Sequence, residues 1–148
     1  MDDIIRTLRT PKECEILAKN ALERGREDIA IQAKRRAIEL KADEFGAESD
    51  AEKEAIQAVV AYEEALSRKN GKRTRATRIW QMIDRHGVIG AVERVVNRPD
   101  DAAGYTVLVE MGLEEFAFEV VVVNHPDLFS AKALDQAKSR LSSWQSDS

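Results

Sequence analysis

Apolar positions recur along this chain mostly at intervals of three and four, the spacing of one face of an α-helix. The first run opens at Thr10-Pro11. Threonine suits an N-cap, proline suits the first helical position, and Glu13 completes a capping-box signature. Cys14, Leu17, Ala18 and Ala21 follow in helical register until Gly25 breaks the run. A second helix from about Glu27 carries Ile29, Ala30, Ala33, Ala37 and Leu40 on one side and ends near Phe45-Gly46. Residues 48–68 predict a third helix, capped by Ser49 or Asp50, with Glu52 and Glu54 in its first turn. Its apolar face runs from Ala55 to Leu66, and Asn70-Gly71 stops it, glycine being suited to a left-handed C-terminal residue.

Beyond that stop, Thr74 is placed to cap a helix running to Arg85 or His86, with Gly87 closing it. Ala76, Ile79, Trp80 and Ile83 fall on one face of that helix, and Arg78, Gln81 and Arg85 on the opposite one. "VIGAVERVVNR" predicts a further short helix with Val88, Val92, Val95 and Val96 inward. After Pro99, Asp100 or Asp101 would cap another, reaching about Met111 before Gly112. Residues 113–124 carry two signals. "FEVVVV" is β-branched and suits a strand, yet Leu113, Phe116, Ala117, Val120 and Asn124 keep helical spacing. A helix is the expectation, ended by His125-Pro126; Ser130 would cap a last helix reaching about Trp144.

The expected class is all-α, a compact single-domain bundle of about seven or eight helices spanning residues 1–148. A strand over 116–123 would make it α+β. Within the domain, residues 11–45 read as an N-terminal hairpin, 48–98 as central helices and 99–148 as acidic C-terminal helices. The stretch "ALERGREDIAIQAKRRAIEL", residues 21–40, resembles a tetratricopeptide unit, with Ala21 facing the turn, Gly25 making it, and Ala30 and Ala37 as the small residues of the second helix. The resemblance covers residues 11–44 and implies a close-packed helical hairpin. Cys14 and Lys34 depart from that pattern, where a bulky residue and an aromatic are usual, and no second copy follows, whereas a solenoid needs about three.

Composition narrows the class further. Hydrophobic residues make up 43% and charged residues 34% of 148 positions, with seven Gly and three Pro, a balance that suits helices over a barrel or a disordered chain. Cys14 is alone, which excludes an intrachain disulfide and a cysteine metal cluster. No apolar run near the N-terminus is long enough for a signal peptide, and the longest purely apolar stretch, Val120 to Val123, is far too short to span a bilayer. A cytoplasmic protein with no membrane partner is expected.

Charge changes the picture most. The net charge of −4 hides segregation: residues 42–67 carry one basic and eight acidic side chains, residues 68–98 nine and two, and residues 99–148 three and nine. A basic block therefore lies between two acidic ones, a pattern that points to a polyanionic partner or to neutralisation by the flanking blocks. Catalytic constellations are missing. Cys14 sits at a core-like position, His86 and His125 sit at helix ends, and no HExxH, Glu-x-x-His or phosphate-cradling glycine loop occurs. No catalytic residue, metal or cofactor is assigned, and the balance leans away from an enzyme.

The leading expectation is a nucleic-acid-binding protein that meets the phosphates of DNA or RNA through Arg68, Lys69, Lys72, Arg73, Arg75, Arg78 and Arg85, with "RKNGKR" as a flexible lead-in and Thr74 and Thr77 as added hydrogen-bonding groups. Glu93 stands six residues after Gly87, where a helix-turn-helix would place an apolar residue, and the sequence pI near 5.3 is low for a dedicated DNA-binding domain. The alternative is a helical adaptor or regulatory module, a protein partner or homo-oligomer joining acidic to basic faces.

Overall fold

A computed structural model describes residues 3–99 and 103–146. Eight α-helices run through them: α1 (Asp3–Thr7), α2 (Pro11–Glu23), α3 (Glu27–Phe45), α4 (Asp50–Asn70), α5 (Thr77–Asn97), α6 (Ala103–Glu110), α7 (Phe118–Asn124) and α8 (Ala131–Ser146). Short 3₁₀ turns occupy Glu114–Phe116 and Pro126–Leu128, and no strand occurs among the described residues. The class is all-α. The chain divides into two compact units, Met1–Gly46 and Ala47–Ser148.

The first unit is built on the α2–α3 hairpin. Thr10 caps α2: its hydroxyl accepts the Glu13 N–H at 3.2 Å, and the Glu13 carboxylate reaches back to the Arg9 N–H at 3.4 Å. Gly25, at φ 72°, makes the turn that Cβ-bearing residues adopt only with strain. Ala18, Ala21, Ala30, Ala33 and Ala37 are buried between the helices together with Cys14, and their short side chains let the two backbones approach closely. Helix α1 was not anticipated from the sequence. It adds Ile5 to this core and Leu8 follows it there, with the Arg36 guanidinium donating to the Leu8 carbonyl at 3.3 Å through both Nε and Nη2. Burial pushes the Cys14 thiol up, which suits an inert core residue.

The second unit packs α5, α6 and α7 against α4, with α8 against α5 and α7. Ser49 caps α4 through the Glu52 N–H at 3.2 Å, and Gly71 closes it at φ 70°. Its core includes Ala55, Ile56, Val59, Val92, Val96, Leu113 and Val122. Helix α5 turns at Gly87, whose φ of 79° and ψ of 171° separate two helical halves.

Two local expectations need correction. Thr74 does not cap α5, which begins at Thr77 after an Ala76 that offers no side-chain acceptor. Residues 113–124 do not form one helix: Ala117 is extended (φ −61°, ψ 147°), so a 3₁₀ turn precedes α7. The β-branched run Val120–Val123 lies in α7, with Val121 and Val122 buried, so tertiary packing overrides local strand preference there. The cap expected at Asp100 or Asp101 lies outside the described residues.

Candidate nucleic-acid interface and an adjoining cavity

The missing cap of α5 is supplied from another helix. Glu63, buried in α4 at 7% exposure, accepts the Ala76 N–H and the Trp80 indole N–H, both at 2.9 Å on the same carboxylate oxygen. A carboxylate at a helix N-terminus also meets the positive end of the peptide dipoles. The loop between α4 and α5 is fixed by further bonds. Ser67 Oγ accepts the Thr74 N–H at 2.9 Å, Asn70 donates to Thr74 Oγ1 at 3.2 Å, and Thr74 Oγ1 donates to the Lys72 carbonyl at 3.0 Å. "RKNGKR" is therefore an ordered connection, tied to α4, where the sequence suggested a flexible arm. Thr74 acts inside this connection, while Thr77 is exposed.

All seven cations of the predicted site are exposed. Arg68 and Lys69 end α4, Lys72 and Arg73 lie on the loop, Arg75 precedes α5, and Arg78 and Arg85 lie on its first half. Arg73 pairs with Glu64 at 2.8 Å, and the Arg75 guanidinium lies 5.6 Å from the centre of the Trp80 ring. Among the described residues, Arg68, Lys69, Lys72, Arg78 and Arg85 form no ion pair. The adjacent acidic block thus takes up Arg73 alone of the seven, because Glu63 is committed to N–H groups and Glu54 faces Asn124 at the end of α7 and His125 just beyond it. Trp80 is half-buried and works as an anchor for α5, as its place on the apolar face suggested.

Beside the end of α4 opens a cavity of about 430 Å³, within the range of small-molecule sites, roughly 300–1,000 Å³. Tyr62, Tyr105, Phe116 and Trp144 contribute aromatic surface to its lining. Lys69 and Arg98 contribute cationic side chains, and Glu119 a buried acidic one. The Tyr105 and Trp144 rings lie 5.1 Å apart at 31°, close to an offset stack. Glu119 pairs with the buried Arg140 at 3.1 Å. Arg140 also donates to the Arg98 carbonyl and sets its guanidinium 5.9 Å from the Trp144 ring. One buried arginine thereby fixes three pieces of the cavity wall.

Sequence reasoning found the cations and missed this cavity. Lys69 was visible only as a phosphate contact, Arg98 only as a member of the charge run, Tyr62 only as one position of an apolar face and Trp144 only as the end of the last helix. The two histidines do not meet: His86 is exposed, and His125 contacts Glu54. Comparison with protein-family models, with curated proteins and with solved structures finds no match to this chain.

Proposed function

We propose that this protein binds DNA or RNA through the exposed cations of residues 68–85, which meet backbone phosphates. The observation that carries this reading is the placement of Arg78. It stands in the first turn of α5, where helix dipoles disfavour a cation, and it has no acidic partner among the described residues. Local stability does not account for a positive charge there, whereas an external polyanion does. Arg85 follows seven residues later on the same face, two helical turns along. The bonded loop adds support, because cations carried on a preformed segment lose less freedom on binding.

The test is fluorescence anisotropy with labelled duplex DNA and single-stranded RNA across a salt series. Five unpaired cations used together give a log–log salt slope of about −4.5 on duplex and about −3.5 on single strands. Arg78→Glu with Arg85→Glu is expected to weaken binding at least about tenfold and to flatten the slope by about 2. Unchanged affinity at matched salt, or binding indifferent to salt, would sink the proposal.

A further inference from the structure

We infer that the cavity of the second unit receives one unstacked base of a bound single strand, with the adjoining phosphate held by Lys69 and Arg98; this rests on the nucleic-acid reading above. Lys69 carries the connection. It ends α4 within the basic run and also lines the cavity, so a strand lying along Arg68, Lys69 and Lys72 passes the cavity mouth. The lining matches the two halves of a nucleotide. Tyr62, Tyr105, Phe116 and Trp144 offer ring surface to a planar base, and Lys69 and Arg98 offer cations to its phosphate. Stacking on aromatic side chains is how single strands are held without a paired partner.

Two further features favour a base over a purely apolar guest. The cavity wall includes Glu119, whose ion pair with Arg140 puts polar surface beside the aromatic rings, where a base carries polar edges and a hydrocarbon carries none. The wall is also rigid: Arg140, itself 7% exposed, ties Glu119, the Arg98 backbone and the Trp144 ring together.

The experiment compares an intact single strand with an abasic strand of the same length and phosphate number, by anisotropy at one salt concentration. The intact strand is expected to bind about tenfold or more tightly than the abasic one, the effect of one base stack. Tyr105→Ala should erase that difference while leaving abasic binding unchanged, which also shows that the variant is folded. Tyr105→Phe, which keeps the ring, should retain the preference. Equal binding of intact and abasic strands would overturn the cavity inference and leave the phosphate surface standing. Binding of neither strand at low salt would remove the nucleic-acid reading and this inference with it. A free mononucleotide that binds by calorimetry when no strand does would assign the cavity to a soluble nucleotide and overturn the inference equally.

Discussion

Met1–Gly46 buries alanines and a few larger aliphatic side chains, while Ala47–Ser148 buries Glu63, Glu119 and Arg140 alongside its aliphatic core. The first unit rests on a cap, a glycine turn and two helices packed through small residues, and its long-range polar bonds, Arg36 to the Leu8 carbonyl and Lys41 to Glu15, come from side chains that stay partly exposed. In the second, polar contacts span long distances along the chain. Glu63 reaches Ala76 and Trp80, Glu93 reaches Ser130, and Arg140 reaches both Glu119 and the Arg98 carbonyl. The buried charges border the features proposed to bind. Glu63 sets the start of α5 and so the posture of Arg75 and Arg78, and Arg140 sets the cavity wall. Burying a charge costs stability unless partners compensate it, so this unit carries a penalty that the alanine hairpin avoids, and what it gains is fixed geometry at a surface.

The largest expected effect tests that claim directly. Arg140→Met leaves Glu119 buried with its guanidinium partner gone, and the second unit should lose about 3–5 kcal/mol. Trp80 and Trp144 both lie in that unit, so indole fluorescence in a urea titration reports its unfolding. Adding Glu119→Met should recover most of the loss, because an apolar pair of similar volume replaces a buried ion pair at little cost. The double variant should still bind an abasic strand and lose its preference for an intact one. A single variant as stable as the wild type would mean that the pair is not a buried anchor, and the contrast between the units would fail.

The first unit should break differently. Ala33 is fully buried between α2 and α3, so Ala33→Leu forces an isobutyl group into a closed helix–helix seam. A loss of about 1–3 kcal/mol is expected, read by far-UV circular dichroism in urea. A neutral outcome would show a seam that relaxes freely, and the small residues there would no longer explain the hairpin.

This contrast also explains what could be read from the chain beforehand. The first hairpin was legible nearly to the residue, since Thr10, Glu13, Gly25 and the alanine spacing act locally. So were the Ser49 cap, the Gly71 stop and the turn at Gly87. Exposure of Arg78 and Arg85 followed from their place opposite an apolar stripe. Glu63 was not legible as a cap: on a helical wheel it is one more acidic residue in an acidic block, and its role depends on a segment 13 residues away. Thr74 was misassigned because a local cap signal competes with a loop whose bonds run back to Ser67 and Asn70. The cavity was invisible because its walls come from α4, α5, α6, α7, α8 and the 3₁₀ turn before α7. No periodicity marks where such faces converge. The break at Ala117 was hidden by apolar spacing that continues across it.

Glu93 gives the smallest of these effects and the finest test of the contrast. In the sequence it is the residue that spoils a helix-turn-helix pattern. In the fold it ties α5 to the start of α8, accepting the Ser130 N–H at 2.9 Å and the Ser130 hydroxyl at 2.6 Å, while Asn97 donates to the same carboxylate. Burial raises the pKa of this carboxyl, but the bonds from Ser130 and Asn97 outweigh it and leave the group below its ordinary value of 4.5. The folded state therefore favours the ionised form. Its contribution is present at pH above that ordinary value and is lost as pH falls through the folded pKa. Ser130 Oγ also accepts the Ala133 N–H at 3.0 Å, so Ser130→Ala removes a helix cap together with one bond to Glu93. A penalty of about 1 kcal/mol is expected at neutral pH. It should shrink as pH falls from the ordinary value of 4.5 through the lower folded pKa, below which Glu93 is protonated and only the cap remains to be lost. A penalty that stays constant across that range would mean that Ser130 acts as a cap alone, a local device like Thr10 in the first unit, and that the long-range carboxylate bond adds nothing to stability.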